Sequence, residues 1–359
     1  MDLQHLKGET LMKKKIIALI VFGILLIVVG SAGSAYYYNL ADKEIRTTTR
    51  ETFKVKNEKN ATTLELTIQG NIPYAISSSD DDQFHLNSET FSKDQNSTVT
   101  WLPQEADGKT TLAVDFNRKK RKQSTFTFGF DIWEGRYEYI NLNIPKSYET
   151  IHLKTNNSSG HKSINVSDLN AKSLTFDNQT GTVHLYNVNA ETITADVKRG
   201  GFEVYNTTVE KDLDVTSDDG YLSINDTRAP NFSLKTKNND ISASDLIGDG
   251  QITSDHGDIN LASVAGKINA TTKNGDISWN LGKPRDDMKL ETVNGDIYVY
   301  LHEVNTKLSI TGKSKTGNVT LFGKETENFS KTADAPHLEL TTLYGDINVD
   351  SDENDYYEE

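Results

Sequence analysis

Apolar residues follow two different patterns in this chain. From Ile16 to Ala41 no charged residue occurs, and Ile16 to Gly30 is almost wholly aliphatic. Roughly 20 apolar residues span a bilayer core at about 1.5 Å per residue. A transmembrane helix is therefore predicted over 16–38, with Tyr36, Tyr37 and Tyr38 at the outer interface, where amphipathic rings are favoured. Lys13, Lys14 and Lys15 predict a cytoplasmic N-terminus over 1–15 and export of everything after about residue 42. A cleaved signal peptide has the same basic start and apolar centre. A cut near Ala35 would give a secreted protein, and that alternative stays open, as does a start at Met12 in place of Met1. No cysteine occurs after the apolar stretch, which excludes a lipid-anchored lipoprotein.

Beyond a linker over 39–59 the pattern changes to short alternations of apolar and polar residues. Thr63–Ile68, Thr111–Phe116, Thr125–Phe128 and Tyr139–Ile144 alternate with period two, as half-buried strands do. They form an irregular β region over 60–150. This region is expected to cap the repeats C-terminal to it, because an open coil end is a bare sheet edge. Over 151–349 one phrase recurs: an apolar–x–apolar doublet, a polar turn, then Gly-Asp-Ile-x-Val or a variant. Its corners are Gly181, Gly200, Gly220, Asn239, Gly257, Gly275, Gly295, Gly317 and Gly345, with Gly160 as a looser first member. Asparagine stands at one corner as the other residue that tolerates left-handed backbone angles. Successive spacings are 21, 19, 20, 19, 18, 18, 20, 22 and 28 residues. Each period holds two short strands that cannot bury an apolar side alone, and stacking one unit on the next does so. The expected fold is all-β, a parallel β-solenoid (β-helix-like) ectodomain behind one N-terminal transmembrane helix. Antiparallel hairpins in a meander or sandwich are the competing reading of the same turns.

Composition sharpens this picture. The 359 residues include 31 asparagines and only 35% hydrophobic residues, a turn-rich β composition that excludes helical bundles. Fifty-two acidic against 38 basic residues leave a net charge of −14, which argues against nucleic acid as partner. With no cysteine, disulfides, thiolate metal sites and thiol nucleophiles are excluded. The acidic segment 350–359 reads as a disordered tail.

Candidate chemistry is sparse. Arg118, Lys119, Lys120, Arg121 and Lys122 form five consecutive basic residues between two strands. They suit contact with an anionic envelope polymer or lipid headgroups, or else form a solvated hairpin tip. Asp240, Asp258, Asp276, Asp296 and Asp346 come directly after the corners and would stack about 4.8 Å apart. Calcium could screen such a ladder, but the tandem calcium repeat is glycine-richer and shorter. Each aspartate is instead expected to bond its own turn backbone, and no metal or cofactor is expected. Tyr74, Trp101, Trp133, Tyr137 and Tyr139 could stack on sugars or serve as ordinary sheet residues. The histidines, among them His85, His152, His184, His256, His302 and His337, lack metal-ligand spacing, and no nucleophile elbow occurs. A secreted polysaccharide-active lyase or hydrolase on a β-helix is the enzymatic alternative; no catalytic residue can be singled out.

The phrase seen in Gly257-Asp-Ile259, Gly275-Asp-Ile277 and Gly295-Asp-Ile297, preceded by the strand ending Ile144-Pro-Lys146, resembles the bacterial adhesin domain family of unknown function, over roughly residues 60–349. With the lysines and the apolar segment, the architecture is similar to membrane-anchored members associated with Gram-positive envelope-stress systems. The resemblance implies a β-solenoid-like ectodomain that binds or scaffolds at the cell envelope, with the membrane and an envelope polymer or surface protein as partners. It transfers no catalytic residue.

Overall fold

A computed structural model describes residues 19–36, 46–54, 61–70, 72–91, 98–117, 139–156, 163–282, 284, 286–303, 308–330 and 335–352. The helix α1 (Leu19–Tyr36) is long and apolar enough to cross a membrane. The other named elements among the described residues are β-strands. Ahead of the regular coils lie β1 (Arg46–Lys54), β2 (Thr63–Gln69), β3 (Tyr74–Ser78), β4 (Gln83–Phe91), β5 (Thr98–Ala106), β6 (Lys109–Asn117) and β7 (Tyr139–Ile144). The coils comprise β8 (Thr150–Asn156), β9 (Ser163–Ser167), β10 (Asn170–Asn178), β11 (Thr182–Tyr186), the 48-residue β12 (Asn189–Thr236), β13 (Ile241–Ser254), β14 (Ile259–Ala262), β15 (Ile268–Asn274), β16 (Ile277–Leu281), β17 (Met288–Asn294) and β18 (Ile297–Leu301). The last elements are β19 (Ser309–Ser314), β20 (Val319–Leu321), β21 (Lys324–Glu325), β22 (Asn328–Ser330), β23 (His337–Tyr344) and β24 (Ile347–Ser351).

Parallel pairing stacks the coils, as the repeat predicts. A first sheet runs β6, β2, β8, β10, β12, β13, β15, β17, β23, β19. A second runs β7, β3, β9, β11, β12, β13, β14, β16, β18, β24, β20. β12 counts as one strand because it bends through successive coils without leaving the ladders. Antiparallel strands close both ends: β5 beyond β6, β4 and β1 beyond β7, β22 beyond β19 and β21 beyond β20. They cover edges that would otherwise pair with another chain.

Alternation puts every second side chain inside. Ile277, Trp279 and Leu281 of one coil sit between Ile259 and Leu261 below and Ile297, Val299 and Leu301 above, all buried. Each such side chain contributes roughly 1.5–3 kcal/mol of hydrophobic stabilisation, so a thin core suffices for a chain of low apolar content.

Two corner types join the strands. At the glycine corners the expected left-handed backbone occurs at Gly181 and Gly200, but not at Gly220, Asn239, Gly257, Gly275, Gly295, Gly317 or Gly345. What the glycines among those corners demand is space; Asn239 is the exception. A Cβ on Gly275 would lie 2.3 Å from the Gly257 carbonyl oxygen, and one on Gly295 2.0 Å from that of Gly275. The carbonyls point up the stack, and only hydrogen fits above them. The left-handed residues are at a second corner instead: Asp168, Asn187, Asn206, Asp226, Asp245 and Ser263, with φ between 45° and 55°. Short polar side chains tolerate this conformation. The residue after each turns inward: Leu169, Val188, Thr207, Thr227, Leu246 and Val264 are buried and form a short third side.

Chain order and stacking order part company at both ends. β2 and β3 lie between the β6–β7 coil and the β8–β9 coil, although they precede both in sequence. β23 and β24 lie between the β17–β18 coil and the β19–β20 coil, although they come after both in sequence.

Candidate functional site

The corner phrase positions two polar ladders. Each aspartate accepts from the next coil's backbone: Asp258 N–H donates to Asp240 Oδ1 at 2.9 Å, Asp276 to Asp258 at 2.9 Å, Asp296 to Asp276 at 2.8 Å and Asp346 to Asp296 at 2.7 Å. The top of the ladder is Asn318 N–H on Asp346 Oδ1, 2.8 Å. The expectation that each aspartate caps its own turn is corrected: parallel stacking brings an unpaired N–H from the neighbouring coil closer. One oxygen of each carboxylate is thereby occupied. Among the described residues no group of three or more His, Asp or Glu side chains is arranged for a metal ion.

Behind this ladder runs a column of hydroxyls three residues before the corners. Thr272 donates to the Gly257 carbonyl at 3.0 Å, Thr292 to Gly275 at 2.9 Å, Thr342 to Gly295 at 2.9 Å and Ser314 to Gly345 at 2.8 Å. Thr272, Thr292 and Thr342 are buried, and a buried polar group needs such a partner. These residues carry structure rather than chemistry.

The outward surface of the second sheet differs. His184, Glu203, Ser223, Ser242, Asn260, Ser278 and Tyr298 stand in one register column, and Tyr186, Tyr205, Asn225, Ser244, Ala262, Asn280 and Tyr300 in the next. Small polar side chains thus form a lane between two clusters of tyrosine, histidine and carboxylate. In the first cluster Glu203 Oε2 accepts from Tyr205 at 3.0 Å and lies 3.0 Å from His184 Nδ1, while Oε1 accepts from Tyr221. Burial alone would raise the Glu203 pKa; hydrogen bonds from Tyr221, Tyr205 and His184 outweigh it and hold the carboxyl below its ordinary 4.5. Burial, then the hydrogen bond to Glu203 and its charge, push the Tyr221 phenol up to about 12. Gly201 makes room, since a Cβ there would lie 2.5 Å from the Tyr221 ring. Tyr186 and Tyr205 stack with centroids 5.1 Å apart and planes 9° apart. Near-parallel rings on consecutive coils have their faces along the stacking direction.

In the second cluster Tyr298 donates to Asp296 at 2.7 Å, Tyr300 donates to Asp352, and His302 Nδ1 lies 3.0 Å from Asp352 Oδ2. The hydrogen bond to Asp296, then burial, push the Tyr298 phenol up to about 12. Hydrogen bonds from Tyr300 and His302 hold the Asp352 carboxyl below its ordinary 3.8. The histidines look isolated in sequence because their partners are 19 and 50 residues away. Stacking cancels that distance.

Other sequence candidates fall elsewhere. Arg118, Lys119, Lys120, Arg121 and Lys122 lie outside the described residues, in the β6–β7 connection. So do Trp133 and Tyr137. Tyr74 is buried, donates its hydroxyl to the Gln69 carbonyl at 2.7 Å, and has its pKa raised by burial and then by the charge of Asp115. It is a core residue and presents no sugar-stacking face. Trp101 packs partly buried against the core. A groove of about 780 Å³ crosses the first sheet over Phe232, Ile268 and Met288, walled by Asp249, Lys267 and Glu339.

The family model described as Toastrack DUF4097 matches residues 61–251 and again residues 211–350. The chain belongs to the Toastrack family. The two Toastrack matches overlap within the stacked coils, where one unit resembles the next. No curated protein matches the chain in sequence. Solved structures similar to it include one from Parabacteroides distasonis described as a "putative lipid binding protein", 11% identical, covering 86% of this chain and 96% of the other, TM-score 0.40. One from Bacteroides fragilis, a "putative adhesin", is 12% identical over 85% and 97%, TM-score 0.32. One from Clostridium sporogenes, a "putative cell adhesion protein", is 12% identical over 85% and 100%, TM-score 0.22.

Proposed function

We propose that this Toastrack protein is a membrane-anchored, extracytoplasmic binding and scaffolding module of the cell envelope without catalytic activity, accessory to envelope-stress signalling. The observation that carries the reading is the outward surface of the second sheet. Exposed tyrosines at two ends of a lane of serine and asparagine side chains suit an extended polysaccharide: the tyrosines supply apolar contact at the ends, and hydroxyls and amides along the lane meet its hydroxyls. The carboxylates in both clusters accept hydrogen bonds from neighbouring tyrosines, which leaves neither poised as a free general base. Connectivity supports an anchoring role for α1. Only residues 37–45 separate it from β1, roughly 30 Å at full extension, and β1 lies beyond β4 at the β7 end of the stack. The basic run Arg118 to Lys122 suits, by its charge, anionic headgroups or anionic wall polymer.

Two measurements test this. Purified protein is co-sedimented with wall polysaccharide, comparing the natural chain with a Tyr186→Ala, Tyr205→Ala, Tyr221→Ala variant and with alanine at all five positions 118–122. The expected result is at least tenfold weaker retention on polysaccharide for the tyrosine variant, and weaker retention on anionic vesicles for the basic-run variant. Unchanged retention in both overturns the assignment of surfaces, and new reducing ends in the polysaccharide overturn the non-enzymatic reading. Membrane fractionation with a carbonate wash separates the anchored protein from a secreted one.

A further inference from the structure

The coil β23–β24 comes after β19–β20 in the chain yet lies beneath it in the stack. Below it, Asp346 N–H donates to Asp296 Oδ1 and Thr342 to the Gly295 carbonyl, at 2.7 and 2.9 Å. Above it, Asn318 N–H donates to Asp346 Oδ1 and Ser314 to the Gly345 carbonyl, both at 2.8 Å. The glycines repeat the same fit, Gly317 over Gly345 and Gly345 over Gly295. These bonds recognise backbone and a five-residue phrase, so nothing in them distinguishes this chain's own last coil from that of another copy. The β19–β20 coil also presents Ser314, Gly317 and Asn318 where β23–β24 presents Thr342, Gly345 and Asp346. It can therefore close onto β17–β18 when the slot empties, which lowers the cost of opening. Beyond β24, Asp352 holds the inserted coil down through Tyr300 and His302.

We propose that β23–β24 exchanges between two copies of this chain, each copy inserting its last coil into the other's slot. Exchange breaks and remakes the same ladders, which makes the swapped and unswapped states close in free energy. Residues 331–336 link β22 to β23 and reach roughly 20 Å when extended. The two copies must therefore meet at their β19–β20 ends, opposite β1 and the connection to α1.

The natural chain has no cysteine, so single introduced thiols report the arrangement cleanly. Asn348 is the Cα partner of Tyr298 on one side and of Thr320 on the other. Full-length Asn348→Cys protein is incubated in detergent with Tyr298→Cys protein, or with Thr320→Cys protein, and then oxidised. Both mixtures are expected to give a covalent heterodimer whose yield rises with concentration. A mixture of Tyr298→Cys and Thr320→Cys copies is expected to give none, because exchange does not bring those two together. Asp352→Ala is expected to speed heterodimer formation severalfold. Heterodimer in all three mixtures would mean unspecific association and overturn the proposal. Bonds confined to an intrachain Tyr298→Cys, Asn348→Cys double variant, with no heterodimer in any mixture, would overturn it as well. Tyr300 and Asp350, also Cα partners, supply a second pair if Tyr298→Cys does not fold.

Discussion

In the middle of the stack, from β10 to β18, each coil rests on the one that precedes it in the chain, and from β13 onward the contacts repeat: carbonyl under glycine, hydroxyl on carbonyl, N–H on carboxylate. At the two ends, chain order fails, and β2–β3 and β23–β24 each slip between two coils. A middle coil has neighbours on both sides without any special arrangement. A segment near either end would have one ladder and a frayed edge if it merely added on top. Insertion gives it two ladders, and the exposed position passes to a coil that antiparallel strands cover. Periodicity thus builds the middle, while edge protection rearranges the ends.

The largest expected effect contrasts these regions through the same substitution. Gly275→Val forces a side chain against a backbone carbonyl in the middle of the stack, and should cost about 3 kcal/mol or more in urea unfolding. Gly345→Val should cost at most half as much, because β23–β24 can leave and β19–β20 can close the gap. Equal losses would show that the inserted coil is as integral as any other. Next comes the hydroxyl column: Thr292→Val leaves a buried carbonyl short of a donor and should cost about 1–2 kcal/mol, whereas Thr292→Ser keeps the bond and most of the stability. Thermal midpoints of the three proteins decide this.

The pH response separates the two clusters on the second sheet. The Glu203 carboxyl is lowered in the folded state, so its stabilisation is complete above the unfolded value near 4.5 and is lost as pH falls through the lower folded value. Glu203→Gln should flatten the acid limb of the stability profile. The Tyr221 phenol is raised from 10 to about 12, so the fold loses stability as pH climbs between those values. Tyr221→Phe should reduce that alkaline loss. The second cluster's Asp352 lies below 3.8, so its contribution is lost as pH falls through its lower folded value, and because it is exposed and screened by solvent, Asp352→Asn should change the profile less than Glu203→Gln. The smallest effect is expected on the aspartate ladder: Asp276→Ala should cost about 0.5–1.5 kcal/mol and Asp276→Asn, which retains a side-chain acceptor, close to none. Equal costs for alanine and asparagine would show that the inter-coil hydrogen bond contributes nothing.

Much of the middle could be read from the chain. The 18–20-residue period, the alternation around Ile277 and Ile297, and the need for glycine at 257, 275 and 295 are all visible in sequence. The reason for the glycines is not, because left-handed φ and close approach to a stacked carbonyl select the same residue. The second corner is hidden: Asp168, Asn187, Asn206, Asp226, Asp245 and Ser263 recur at 18 to 20 residues, yet asparagine and aspartate are too common for the column to stand out. The hydroxyls of Thr272, Thr292 and Thr342, each three residues before a corner glycine, are a legible signal. Of the candidate surface, the pairing of His184 with Glu203 and of His302 with Asp352 is invisible until the coils are stacked.

The sequence by itself determined an all-β stack of two-strand units behind an apolar helix, because period-two alternation and a constant repeat length leave few other ways to bury one side of each strand. Only the tertiary structure decided which coil lies on which at the ends. The coils share the same corner phrase and can accept one another, so local pattern does not distinguish their order. Chain connectivity and the cost of an open edge do.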